Sequence, residues 1–288
     1  MARRYRLQGG MEYLAVYGWT FLVIVTSLLG LYQFGVFSSN RLAPSAPAGS
    51  CRVFKSSSYS GIVISLEGLC TGRTPKFVAV FNGASYIEEG NMNFFGSKDF
   101  AASFWVQIQK PVTTSNGIVD EGSKSSPKGW YFWSSGNTCG NGQGVIFNAK
   151  PGDICYGWGD SGWHFVVGVY NTSNSREYLY VDGVLIKSTK GSGPALTYPL
   201  VIGAESNFKN MFSGSIANIQ VYNSSLDQAM VQAMYREGIG GAPIRLLNLL
   251  AWWPLNGDSV DYSGNSNSQT KIVGVGFSSS WANGYTSP

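Results

Sequence analysis

From Tyr13 to Phe37 the chain carries no charged residue. As a helix this run would be about 37 Å long at a rise of about 1.5 Å per residue, against a hydrocarbon layer of roughly 30 Å. A segment so apolar has to be covered by lipid or by other protein. A cleaved secretory signal would be shorter and would end at a small-residue cleavage site, whereas here the apolar residues continue through LLGLYQFGVF. The segment is therefore expected to be retained. Arg3, Arg4 and Arg6 precede it, and positive charge of this kind holds an end on the cytoplasmic side.

Glu12 stands at the start of the run. Two readings are open for it. It sits at the membrane interface near a helix N-terminus, whose dipole favours a carboxylate, or it is held inside an assembly, where it needs a cationic partner. The stretch QGGMEYLAVYGW, followed by apolar residues ending LYQFGVF, resembles the class III signal segment of archaeal type IV pilins. The resemblance implies that a prepilin peptidase removes a short basic leader, residues 1–7, by cutting between Leu7 and Gln8. Glu12 would then pair with the freed α-amino group of a neighbouring subunit. The residue before the cut is usually Gly or Ala in that family, and here it is Leu7. Lipid is as apolar as leucine, so helices leaving a bilayer to join one another rely on close packing. Ala15, Gly18, Ser27 and Gly30 are the small residues available for it.

Residues 38–50, SSNRLAPSAPAGS, read as an extended, semi-rigid linker. Beyond them the balance of charge changes. Arg3, Arg4, Arg6 and Arg41 are four of the 20 basic residues and Glu12 one of the 16 acidic ones, so 16 basic residues face 15 acidic ones from residue 42 onward. No basic stripe exists for nucleic acid, and that partner class is excluded. Cys51, Cys70, Cys139 and Cys155 all follow the apolar run and show no C-x-x-C spacing. Two disulfides are expected in an extracytoplasmic chain. Of the three connectivities the nearest-neighbour one is preferred, closing loops worth roughly 3 kcal/mol each; four free thiols are the alternative. N-x-S/T sequons at Asn171 and Asn223 are glycosylation candidates.

The remainder reads as short strands. EYLYVDGVLIK is a hairpin with a type I′ turn at Asp182-Gly183, which predicts Leu179, Val181, Val184 and Ile186 on one buried face. A helix is predicted over 226–237, with Ser225 and Gln228 as its capping box and Gly238 as its stop. The pieces FNGASYIEEG, DFAASFWVQI, GWHFVVGVYN, LYVDGVLI, LVIGA and FSGSIANIQVYNSSLDQAMVQAMYREG resemble, in order and spacing, the LamG-like (concanavalin A-type) jelly roll. LLAWWPLNGDSVDYSGNSNS resembles an element that normally opens such a domain, yet here it comes last. The fold class expected is thus an all-β jelly-roll sandwich over 51–288, preceded by one long hydrophobic helix over 8–37. The element at 249–288 would supply a strand in permuted order.

LamG-like folds include glycoside hydrolases, and retaining hydrolysis needs two carboxylates about 5 Å apart. The sandwich hydrolases of this group carry them in an E-x-D-x-E array on one strand. None exists here, and IEEGN puts Glu88 and Glu89 on opposite faces; Asp153 is the other acid considered. The single histidine, His164, lies in an apolar strand and reads as a packing residue. No enzymatic activity is expected. Asn256, Asp258, Asp261 and Asn265 gather hard oxygen ligands in one loop and are candidates for Ca2+. Trp130, Trp133, Trp158 and Trp163 are candidates for a sugar platform, with the core or a subunit interface as their alternative place.

The function expected is a structural subunit of an archaeal type IV-like surface filament, its helix in the filament core and its sandwich outside for adhesion. Its partners would be copies of itself, the peptidase and assembly machinery, the membrane before assembly, and glycans or other cells. The alternative is a monomeric, membrane-anchored carbohydrate-binding surface protein. The two differ in processing. A mature chain whose intact mass begins at Gln8 is expected from the first, and an uncut Met1 would refute the peptidase reading.

Overall fold

The structure is a computed structural model and describes residues 8–33, 44–58, 61–90, 99–109, 114–121, 129–140, 142–149, 152–193, 199–267 and 269–288. Within these elements the side chains of residues 8–16, 32–33, 57–58, 61 and 137 are not described. The chain forms two units, residues 1–43 and 44–288.

The first unit holds helix α1 (Gln8–Gln33). Of the side chains described, Tyr17, Trp19 and Phe21 are 66%, 71% and 69% exposed, and Leu22, Val23, Ile24, Leu28 and Leu29 are exposed as well. Among the described residues no helix is long and apolar enough to cross a membrane. Leu7 lies outside the described residues, as do the side chains of Gln8 and Glu12.

The second unit is an all-β jelly-roll sandwich. Its strands run β1 (Ser45–Ala46), β2 (Cys51–Ser58), β3 (Gly61–Gly68), β4 (Thr74–Pro75), β5 (Val78–Asn82), β6 (Tyr86–Glu89) and β7 (Phe100–Ile108). They continue with β8 (Asn116–Asp120), β9 (Tyr131–Ser135), β10 (Gln143–Asn148), β11 (Ile154–Trp158), β12 (His164–Asn171) and β13 (Arg176–Val181). The last are β14 (Val184–Lys190), β15 (Val201–Ile202), β16 (Ser213–Tyr222), β17 (Leu249–Trp253), β18 (Gln269–Val273) and β19 (Gly276–Ser278), with helix α2 (Gln228–Glu237) between β16 and β17.

One sheet has the order β11-β10-β9-β8-β15-β6-β18. The other has β14-β13-β12-β7-β16-β5-β19, with β17 pairing the second half of β16. The C-terminal element therefore gives strands to both sheets. Two short pairs, β1 with β4 and β2 with β3, stand apart. The spacer read over 38–50 gives way to the compact unit at Pro44, and Ser45–Ala46 already pair with Thr74–Pro75.

Between the sheets the inward positions form one apolar core around Phe104, Phe132, Phe147, Trp130 and Trp253. Alternation decides what enters it. In β7, Phe104 and Val106 point inward, while Trp105 joins a second cluster on the outer face of the larger sheet. That outer cluster is covered by α2, by the β2–β3 hairpin and by Trp281 and Tyr285 of the C-terminal segment. A strand buried on both faces reads as a continuous apolar run, which is how FAASFWVQI appears. Both disulfides are present, Cys51–Cys70 and Cys139–Cys155, and join near neighbours in sequence.

Two local expectations need correction. The hairpin turn at Asp182 (φ 50°) and Gly183 (φ 76°) forms, with Val181 opposite Val184. A bulge then follows, so that Leu179 faces Lys187 and Ile186 is the extra residue. The extra residue resets the alternation; β14 lies at the sheet edge, and Val184 is 59% exposed rather than buried. The helix begins at Gln228 and its cap is Asp227, whose side chain accepts from the Met230 N–H. Ser225 instead donates to Asp99 and accepts from Asn171. The carboxylate at position 227 is two residues nearer the first turn and wins the cap.

At Gly168 a Cβ would sit 2.4 Å from the Phe147 ring and 2.5 Å from that of Phe132. These rings stack at 4.7 Å in the middle of the core, so neither has room to withdraw. Gly168→Ala is expected to destabilise the sandwich by about 1–3 kcal/mol through overpacking, read as a lowered urea midpoint. An unchanged midpoint would show that the core has slack at this point.

Candidate functional site

The four tryptophans considered as a sugar platform are all buried. Trp130 packs against Phe100 at 4.6 Å within the main core. Trp133 stacks on Tyr131 at 4.3 Å and donates its ring N–H to Asp120. Trp158 lies against the His164 ring at 4.4 Å, and Trp163 donates to the Trp281 carbonyl. A platform needs an open ring face, and none of these rings has one. The aromatic-rich loops fill the fold.

The loop proposed for calcium is spent on its own backbone. Asn256 accepts from the Phe77 N–H and donates to the Ala46 carbonyl. Asp258 accepts from the Tyr262 hydroxyl. Asp261 accepts from the N–H groups of Trp252 and Ser263, from the Ser263 hydroxyl and from the Asn267 amide. Asn265 donates to the carbonyls of Leu249 and Leu250 and accepts from the Lys55 ammonium. The lone pairs a cation would need already face hydrogen-bond donors. The four residues do not fit a calcium site, and among the described residues no group of three or more acidic, His or Cys side chains gathers around one point.

Glycosylation at either sequon needs a free side-chain amide. Asn171 is half-buried and uses its amide on Ser225, while Asn223 is exposed and accepts from Asn248.

Several acids are enclosed in the sandwich. Glu89 follows Ile87 in alternation and is fully buried, with no hydrogen-bond partner for either carboxylate oxygen. Burial, helped by the charge of Asp261, pushes its carboxyl up to about 8. Glu177 is buried too and accepts from the Ala149 N–H. Burial raises it to about 7, with Asp153 adding to the rise and the Ala149 N–H opposing it. Glu121 is pushed well above the carboxylate range by burial. Asp153, by contrast, accepts from the Tyr131 hydroxyl at 2.6 Å and from Asn148 at 2.9 Å. Glu88 lies on the opposite face of β6 from Glu89 and is half-buried.

His164 is buried, as a packing residue would be, but it is also clamped. One ring nitrogen lies 2.8 Å from Asp182 and the other 3.1 Å from Asp160. Burial alone would lower its pKa; the two carboxylates, Asp182 foremost, outweigh that and raise it. Asp182 also accepts from the Phe165 N–H, so the hairpin tip is tied to the start of β12. The sequence held a signal for this clamp in Asp160, four residues before His164. Asp182 came close only through the fold.

Ser161, next in sequence to Asp160 of the clamp, lines a groove. On the outer face of the larger sheet Gln107, Ser215 and Val80 form one cross-strand row on β7, β16 and β5. Over this row opens a groove of about 510 Å3, walled by Gln109, Ser161 and Asn283. The Gln107 amide donates at 3.0 Å to the carbonyls of both Ser161 and Asn283, fixing the two walls. Gly284 (φ 78°) lets the C-terminal segment close in, since a Cβ there would stand 3.0 Å from the same amide nitrogen. None of the described lining residues is charged. None of them was singled out from the sequence, because glutamines and serines far apart in the chain carry no motif.

A family model described as the concanavalin A-like lectin/glucanases superfamily matches residues 81–232. The crystal structure of a "putative carbohydrate binding protein" from Bacteroides ovatus is similar with a TM-score of 0.55 and 13% identity, covering 80% of this chain and 70% of that one. A SAP-like pentraxin from Limulus polyphemus is similar with a TM-score of 0.47 and 12% identity, covering 70% of this chain and 94% of that one. Domain 4 of an extracellular arabinanase from Geobacillus stearothermophilus, in complex with arabinotriose, gives 0.41 and 14%, with coverages of 63% and 80%. At these identities the likeness is one of fold. No curated protein matches the chain in sequence.

The buried titratable groups make one joint prediction. Glu89 and Glu177 have folded pKa values above their ordinary 4.5. The folded state therefore binds more protons than the unfolded one between that value and about 7 to 8, and stability falls as pH rises through this window. His164, also raised, acts in the same direction, its contribution present below about 6.5 and lost as pH rises through its folded value. Each group adds a slope of at most about 1.4 kcal/mol per pH unit. Urea midpoints are expected to drop from mildly acidic to mildly basic pH, and Glu89→Gln to flatten the drop. Parallel profiles for the two proteins would mean that Glu89 ionises in the fold without penalty.

Proposed function

We propose that this chain, which belongs to the concanavalin A-like lectin/glucanases superfamily, is a glycan-binding surface protein whose sandwich is displayed by its N-terminal helix. The observation that carries this reading is the complete two-sheet sandwich, over which the family model runs from β5 to α2. Binding without turnover is the natural mode. Glu89, Glu121 and Glu177 are sealed in the fold, where no polymeric substrate reaches them.

The finer reading is a filament subunit. It is favoured by helix α1, whose large apolar side chains, Trp19 and Phe21 among them, stand exposed. Such a surface is untenable in water. Lipid covers it before assembly, and neighbouring copies of the helix cover it afterwards. Processing between Leu7 and Gln8 would free the amino group that Glu12 needs as a partner. The two disulfides suit a sandwich held outside the cell, where oxidised cysteines persist. Calcium and other cofactors have no part in the proposal.

The two readings separate in one experiment on the full chain produced in its host. Glu12→Gln is expected to remove filaments from negatively stained surface fractions, while the detergent-extracted protein still binds glycans on an array. Filaments as abundant as before would overturn the assembly reading. Absence of binding to any glycan, with the fold intact by circular dichroism, would overturn the binding reading.

A further inference from the structure

We infer that the groove over Gln107, Ser215 and Val80 is the glycan site, and that it takes a neutral, hydroxyl-rich sugar of one or two residues rather than an acidic one. This rests on the glycan-binding reading and adds its place and ligand class.

The size of the groove is right. Its volume of about 510 Å3 falls within the range of small-ligand sites, roughly 300–1,000 Å3. Its chemistry is right as well. A sugar hydroxyl both donates and accepts, and so do the groups that line the groove, two glutamines, an asparagine and two serine hydroxyls. Gln107 spends its N–H donors on Ser161 and Asn283, which leaves its carbonyl oxygen to accept from a ligand. Gln109 is the converse case. Its oxygen accepts from Ser213, leaving its amide as a donor. The two glutamines thus offer one acceptor and one donor, a match for vicinal hydroxyls.

Charge decides the class. A uronate or sialate entering the groove would give up hydration without meeting a cation among the described lining residues, which weakens its binding relative to a neutral sugar. The groove is also built rather than accidental. Gly214 (φ 154°) brings β16 so close to β7 that a Cβ would lie 2.3 Å from the Gln107 carbonyl oxygen, and Gln107 then braces both walls. The surface is therefore shaped before a ligand arrives, and preorganisation of this kind strengthens binding.

The test uses the full chain in detergent against neutral mono- and disaccharides and against their uronate- and sialate-containing counterparts, followed by ligand-observed NMR. Two variants are compared with the parent. Ser215→Tyr fills the groove while keeping the Gln107 side chain, and Gln107→Ala removes the acceptor and the brace together. Neutral sugars are expected to bind the parent, with affinity at least tenfold lower in both variants. Neutral sugars bound equally by Ser215→Tyr would overturn the location while leaving the glycan-binding reading in force. Selective binding of acidic sugars would overturn the ligand class. Failure of every sugar to bind the parent would overturn both this inference and the reading beneath it. Circular dichroism and an unchanged urea midpoint for Ser215→Tyr separate a filled groove from a damaged fold.

Discussion

The pairing of β16 holds the sandwich together. One edge of this strand is bonded to β7 along most of its length. Its other edge is shared end to end, the first half with β5 and the second with β17. Without β17 the N–H and C=O groups from Ile219 to Tyr222 would form an open edge, an invitation to pair with another chain. Trp252 and Trp253 of β17 add large rings to the outer and inner clusters respectively. The residues matched by the family model end before this strand begins, so the matched segment depends on a later one for closure. β18 and β19 repeat the device at the edges of β6 and β5.

The same strand sets the register of the groove. Two residues before Ala217, which is buried in the outer cluster, Ser215 reaches the surface beside Gln107 and Val80. A bulge between Ala217 and Gln220 then buries Asn218 (φ 52°), whose side chain accepts from Trp252 of the outer cluster and donates to the Gly241 carbonyl. Dry packing on one side of the bulge and an open polar row on the other are therefore consequences of one irregularity. The groove walls are pinned by Gln107 on β7, the strand in closest register with β16. A shift of one residue would turn Gln107 and Trp105 together into the core and bring Phe104 and Val106 to the outer face, since alternate residues of a strand face opposite ways.

Patterns with a short period were legible in the sequence. FAASFWVQI, WHFVVGVY and GSIANIQVY correspond to β7, β12 and β16 nearly residue for residue, and the Asp182-Gly183 turn forms where its dipeptide predicts. The near-neighbour disulfides follow from loops too short for the other partners to compete. What depended on long-range placement was less legible. The bulge beside Leu179 could not be read, because it is set by how β14 leaves the sheet edge. The tryptophans were ambiguous for a similar reason. A ring in a Gly-rich loop looks exposed until the loop is seen folded against the sheet, as at Gly157, where a Cβ would stand 2.1 Å from the Gly140 carbonyl oxygen. The acidic loop near Asp261 looked like a cation site because its oxygens are counted in the sequence, whereas the donors that occupy them come from its own backbone and from β17.

The two units face opposite problems with water, and function lies in how each is solved. The sandwich buries most of its described large rings and leaves open a groove whose described lining residues are uncharged, the place proposed for a polar, neutral ligand. The helix does the reverse, exposing Trp19, Phe21 and their neighbours, while Thr26 turns its hydroxyl back onto the Leu22 carbonyl. In the proposed assembly its association would rest on apolar contact and on the charge at its start. Contact of that kind is non-directional and carries little specificity by itself. In the proposed filament, a carboxylate at Glu12 that requires a cation would restrict the stagger at which a neighbouring helix can dock. The greasy face would then supply attraction and the single charge register.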